Sequence, residues 1–150
     1  MAQASRLRQV LTSPLAVGNK LARVNYTLKN LLQVEDSAKK FGFSETQEAR
    51  FAQGDLDAEA TGLSYHVLRP EKRQSFGHRH GAAEEVYVVL SGGGRVKLED
   101  EILELETMDA LRVAPTVTRA FEAGPQGLEL LAFGPHHAGD AEMVQDFWTD

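Results

Sequence analysis

The sequence predicts an all-β chain built as one antiparallel sandwich or small barrel, with a short helical or irregular arm at its N-terminus. Three observations carry that reading. From about residue 61 onward the chain breaks into seven short segments, GLSYHVLRP, EEVYVVLSG, GRVKLED, EILELE, DALRVAP, TVTRAFEAG and GLELLAFGP, bounded by Gly, Pro or Asp. Several alternate with the period of a half-buried strand, so that Val96 and Leu98 oppose Arg95 and Lys97. No helical stretch separates the segments, which favours neighbouring strands over strand–helix–strand units. With 150 residues and 42% hydrophobic content the chain can bury one sizeable core, and the lack of an internal repeat predicts one barrel rather than two.

Taken in order, residues 1–24 read as a flexible arm. Leu7, Val10, Leu11 and Leu15 recur at helical spacing, but Pro14 and Gly18 interrupt the pattern. Residues 25–61 are expected to cover the barrel. Most of that stretch is polar and acidic, with Phe41, Phe43, Phe51 and Leu56 scattered in no sustained period, which reads as loops and a turn of helix. Residues 62–134 supply the barrel itself, where Ile102, Leu103 and Leu105 give one strand a mostly apolar face against Glu101, Glu104 and Glu106. Residues 135–150 form a tail whose Phe147 and Trp148 are expected to dock on the body or on a second subunit.

Composition removes several function classes. The longest clean apolar run, Val86 to Leu90, falls far short of the roughly 18 residues a spanning helix needs, so no membrane role is expected. The basic N-terminal stretch lacks the unbroken apolar segment of a secretory signal, and a cytoplasmic location is expected. With no cysteine, disulfides, zinc–thiolate sites and thiol nucleophiles are excluded, and any metal must sit on histidine and carboxylate. The net charge of −6 is unevenly spread: residues 1–34 hold five basic and no acidic residues, leaving 11 basic against 22 acidic in the remainder. An acidic body repels phosphate backbones, so nucleic acid is not an expected partner.

The chemistry concentrates in FGHRHGAAEEVYVVLSGGG, residues 76–94. On a strand, His78 and His80 share one face while Arg79 takes the other, so two imidazoles converge. Gly81 and two alanines let the chain turn into the next strand, where Glu85, Tyr87 and Val89 share a face and a carboxylate can join the histidines. Two histidines and a carboxylate on one side of an ion leave positions open for water, substrate or dioxygen, an arrangement suited to ferrous iron and acceptable to manganese or zinc.

His78, His80, Glu85 and Gly92 also match H-x-H-x(3,4)-E-x6-G, the first motif of the cupin family, and over roughly residues 62–134 the chain resembles a cupin. That resemblance implies a single antiparallel jelly-roll β-barrel whose interior holds the motif residues. It further implies a divalent metal (Fe, Mn, Ni or Zn) on His78, His80 and Glu85, and a homodimer paired through its sheets, for which exposed strand edges give a physical motive. The chain departs from the family in two places. Lys72 stands at the initial glycine, and the second motif falls on Met108, Ala114, Thr116, Arg119 and Ala123, with none of its signature residues, although Pro115 keeps the turn. Arg119 occupies the place of the third ligand histidine, and a guanidinium has no lone pair to offer.

In TVTRAFEAG the alternation turns Arg119 inward if Val117 and Phe121 face the interior, and a buried guanidinium needs an anion. Two readings follow. In one, the metal is bound and Arg119 receives an anionic small-molecule ligand beside it, as in a metal-dependent oxygenase or isomerase, with acid–base work falling to Glu85, Tyr87 or water. In the other, Arg119 pairs with Glu85, no metal is required, and the barrel is a ligand-binding or sensor module. Tyr87, Phe121 and His66 are expected to line the pocket, though a hydrogen-bonded strand histidine is the plainer account of His66. His136 and His137 read as solvated, and Arg69, Lys72, Arg73 and Arg79 as a basic stretch that either draws anions to the mouth or pairs with the acidic EDEILELE hairpin.

Overall fold

The computed structural model describes residues 25–149, so the arm expected over residues 1–24 lies outside the described residues. A single 3-10 turn, Leu31–Gln33, and a one-turn helix α1, Ser37–Lys40, precede eight strands: β1 Gln47–Phe51, β2 Thr61–Leu68, β3 Phe76–His80, β4 Glu85–Leu98, β5 Glu101–Glu106, β6 Ala110–Val113, β7 Arg119–Pro135 and β8 Ala141–Gln145. All pairings are antiparallel. One path runs β1-β2-β7-β3-β8, while β4 pairs with β5, β6 and β7. The sheet curls into a jelly-roll barrel around Leu68, Tyr87, Val89, Val96, Phe121 and Leu130, which the two long strands bring together.

Four segments read as separate strands are halves of two. EEVYVVLSG and GRVKLED run together as β4, and TVTRAFEAG and GLELLAFGP as β7. The glycines between the first pair are a crossing point rather than a turn. A Cβ on Gly92, whose φ is +73°, would lie 2.1 Å from the Gly127 carbonyl oxygen, and one on Gly94 would lie 2.0 Å from that of Glu122. Here the register steps from Gly92 opposite Leu128 to Gly94 opposite Ala123, so residues 124–127 bulge out of β7 while the ladder resumes on either side.

The covering segment contributes more than loops, because β1 pairs along β2. Asp36 links it to α1: its carboxylate accepts from the Ala38 amide at 3.0 Å, capping the helix, and from the Ala49 amide of β1 at 2.9 Å. The tail likewise supplies β8, which pairs with β3. Phe147 and Trp148 dock on the body, where Lys97 lies 4.6 Å from the Phe147 ring and Arg73 4.3 Å from that of Trp148. In β5 only Leu105 reaches the core: Ile102 points to the opposite face, and Leu103, on the face of Leu105, is exposed at the edge of the sheet, where β4 is the partner of β5 among the described residues. Several residues of the basic stretch have partners outside that hairpin. Arg79 forks Glu142 of β8 with two bonds of 2.9 Å, Arg73 bonds Glu122 at 2.6 Å, and Arg69 bonds the Ser44 carbonyl.

On the face of the sheet opposite the core, Phe133 lies beside Val86, and Leu131 lies between Tyr65 and Val88. Phe133 and Leu90 are exposed, so these rows form a contiguous apolar patch. No helix among the described residues is long and apolar enough to cross a membrane.

Candidate metal centre

The alternation of β3 turns both imidazoles inward, their ring centroids 5.4 Å apart, and leaves Arg79 outside on Glu142. From the start of β4, Glu85 and Tyr87 enter the same space. Ligand atoms of His78, His80 and Glu85 all lie within 4.8 Å of one another. Glu85 Oε2 is 3.4 Å from His78 Nε2 and 3.3 Å from His80 Nε2. Both ring nitrogens of His80 are buried and lack a hydrogen-bond partner of good alignment, which is the condition of a side chain placed to donate a lone pair elsewhere.

Arg119 enters opposite His78 at the β3–β7 contact and is fully buried. It donates from Nη2 to Glu85 Oε2, from Nε to the Tyr87 hydroxyl at 2.9 Å, and from Nη1 to the Val117 carbonyl at 3.0 Å. The Tyr87 hydroxyl in turn donates to Glu85 Oε2. The guanidinium therefore sits behind Glu85 and Tyr87, and the anion it meets is Glu85. Arg119 is not among the residues that line the adjoining cavity.

These contacts set the charges. Burial pushes the Glu85 carboxyl up, but the hydrogen bonds from His78 and Tyr87 and the charges of His78 and Arg119 outweigh it and hold it far below the usual carboxylate range. Burial and the Glu85 charge raise the Tyr87 phenol well above its ordinary value, so it remains a protonated donor. Burial lowers the His80 imidazole; the Glu85 charge opposes this and the Arg119 charge adds to it. Burial would also lower Arg119, yet Tyr87 and Glu85 together hold it above its ordinary value.

The centre opens on a cavity of about 600 Å³. His66 lines it while bonding Ser64 Oγ at 2.8 Å. Burial, with a smaller contribution from His78, lowers its pKa to about 4. Phe121 also lines the cavity, its ring 4.8 Å from that of Tyr87. His136 and His137 are exposed, and they border a second cavity of about 250 Å³ that also reaches His80 and Glu85.

Sequence reasoning missed Asp140. Its Oδ2 lies 3.5 Å from His80 Nδ1, and its carboxylate accepts from the Ala82 and Ala83 amides at 3.0 Å, fixing the turn between β3 and β4. Those amides, Ala83 first, hold the carboxyl below its ordinary range. No spacing links residue 140 to residue 80; the pairing of β8 with β3, which sets His80 opposite Ala141, brings them together.

No protein-family model and no curated protein matches the chain. Solved structures do. A cupin protein from Bacteroides fragilis superposes with a TM-score of 0.62 at 22% identity, over 85% of this chain and 99% of that one. The polyketide cyclase RemF from Streptomyces resistomycificus gives 0.65 at 17% identity, over 83% and 87%. Oxalate decarboxylase from Bacillus subtilis gives 0.57 at 19% identity, over 65% of this chain but 28% of that one. At such identities the likeness shows the fold alone: the barrel has the jelly-roll fold of these cupin structures, the fold that the first motif led one to expect.

Proposed function

We propose that the chain is a small-molecule-binding cupin that holds a divalent ion, Fe, Mn, Ni or Zn, on His78, His80 and Glu85. One observation carries the reading: three donor atoms within 4.8 Å of one another, with both ring nitrogens of half-buried His80 lacking a well-aligned hydrogen bond. When bound, such an ion supplies a Lewis acid or oxygen-binding centre, the chemistry of an oxygenase or isomerase. The chain's own residues prepare the site. Arg119 and Tyr87 hold the Glu85 carboxylate ionised and oriented toward the histidines, and Asp140 sits behind His80 in the manner of an outer-shell carboxylate. In this reading Arg119 orients a ligand instead of replacing one. The shared carboxylate separates its charge from the ion's, which tempers a repulsion of several kcal/mol (~8 at 4 Å and an effective dielectric near 20).

The direct Arg119–Glu85 contact favours a second reading, in which the guanidinium itself neutralises Glu85 and the barrel binds its ligand without metal. Elemental analysis of protein purified without an affinity tag or added metal separates the two. A stoichiometric ion that disappears in His80→Ala and Glu85→Gln supports the metal centre; an empty site under every loading condition refutes it. The apolar rows around Phe133 and Leu131 support a homodimer formed by the same sheet face of two copies.

A further inference from the structure

The large cavity has one charged end and apolar walls. Phe41, Phe43, Phe51, Phe76, Leu130 and Met143 line it, and its volume of about 600 Å³ lies within the range that takes ligands of several rings. Among the described residues no lysine or arginine lines it. The cation nearest the centre, Arg119, has its fork committed to Glu85, Tyr87 and Val117. Apart from the centre and His66, the polar part of the wall is neutral: Gln47 and Gln74, bonded to each other at 3.2 Å, with Ser37 and Ser64.

An ion on His78, His80 and Glu85 would receive one oxygen-bearing end of a ligand in its open positions. An anionic group away from that end would lie among phenylalanines with no cation among the described residues to receive it, a placement that is unfavourable in an apolar site. Building on the small-molecule reading, we propose that the ligand is a ring-bearing, mostly apolar molecule with a single oxygen-bearing polar end, and not a small polyanion. The rings seat against the phenylalanines and the oxygen faces His78, His80 and Glu85.

The test uses the neutral fluorescent probe N-phenylnaphthylamine on chelator-treated and manganese-loaded full chain. Naphthol, which is uncharged at neutral pH, and naphthalene dicarboxylate, a dianion on the same rings, serve as competitors. The expected result is probe binding in both forms and displacement by naphthol at a concentration at least about tenfold lower than by the dicarboxylate. Two variants localise the binding: Ala49→Trp fills the interior, and Ala141→Trp, at an exposed position of the wall, fills the cavity with little risk to folding. Folded Ala141→Trp should bind the probe at least about tenfold more weakly, a loss of roughly 1.4 kcal/mol. Equal or better displacement by the dicarboxylate, or probe binding untouched by Ala141→Trp, would overturn the assignment. Failure of the metal reading appears separately in the elemental analysis, because the chelator-treated protein reports the apolar chamber with no ion present.

Discussion

Replacing Arg119 with Met would test the centre at its base. The guanidinium is fully buried, and it gives one bond to Glu85, one to Tyr87 and one to the Val117 carbonyl. A methionine keeps most of the volume but leaves Glu85, whose side chain is 19% exposed, as a carboxylate without its cation. Removing one partner of a buried ion pair costs about 3–5 kcal/mol, against about 0–1 for an exposed pair. At ~2–4 °C per kcal/mol for a domain of this size, the melting temperature should fall by about 6–20 °C. Urea unfolding followed by circular dichroism measures the loss directly. Manganese should then return more stability to the variant than to wild type, because the ion takes over the charge that Arg119 supplied to Glu85. A loss below about 1 kcal/mol would mean that the buried pair does not hold in solution. Equal stabilisation of both proteins by manganese would show that Arg119 and the ion do not share Glu85, and the proposed division of labour would fail.

Three further outcomes are expected. The pKa of His66 is lowered to about 4, so as pH falls the unfolded state takes up its proton first, and stability is lost between the ordinary value of 6.5 and 4. At pH 5 the chelator-treated protein should have lost about 2 kcal/mol relative to neutral pH through this group. His66→Phe should remove that part of the slope in urea midpoints, leaving the smaller dependence that the lowered His80 contributes in the same sense; an unchanged slope would refute the buried neutral imidazole. Asp140→Ala should weaken manganese by about 10–100-fold in competition with a chromophoric chelator, and Asp140→Asn, which still accepts from the Ala82 and Ala83 amides, should keep the turn and show the smaller loss. Phe133→Glu should convert the proposed dimer to monomer in light scattering at unchanged thermal stability, and a wild-type monomer at all concentrations would remove the dimer.

The strand content and the inward triad were legible because each rests on short-range pattern. His78 and His80 stand two residues apart, Glu85 follows one turn later, and the period of a strand fixes which way each points. The strands β1 and β8 were not legible. QEARF and AEMVQ carry two and three apolar residues in no clean alternation and owe their extended form to the open edges of β2 and β3. Glycines 92–94 misled for a related reason: a turn and a close backbone crossing both demand the absence of a Cβ, and only the strand opposite tells them apart. Arg119 was placed correctly in depth from the alternation of TVTRAFEAG, but its partner was beyond sequence reasoning, which allowed Glu85 or an anionic ligand. Asp140 depends on tertiary pairing alone.

That pairing has a practical corollary. The exposed residues 136–139 separate the body of the barrel from β8, so a proteolytic nick there would part the imidazole pair from the strand that braces it. A synthetic peptide spanning β8, added back to the clipped protein, would complement it as a missing stave completes a cask, and recovery of ion binding would report the reunion.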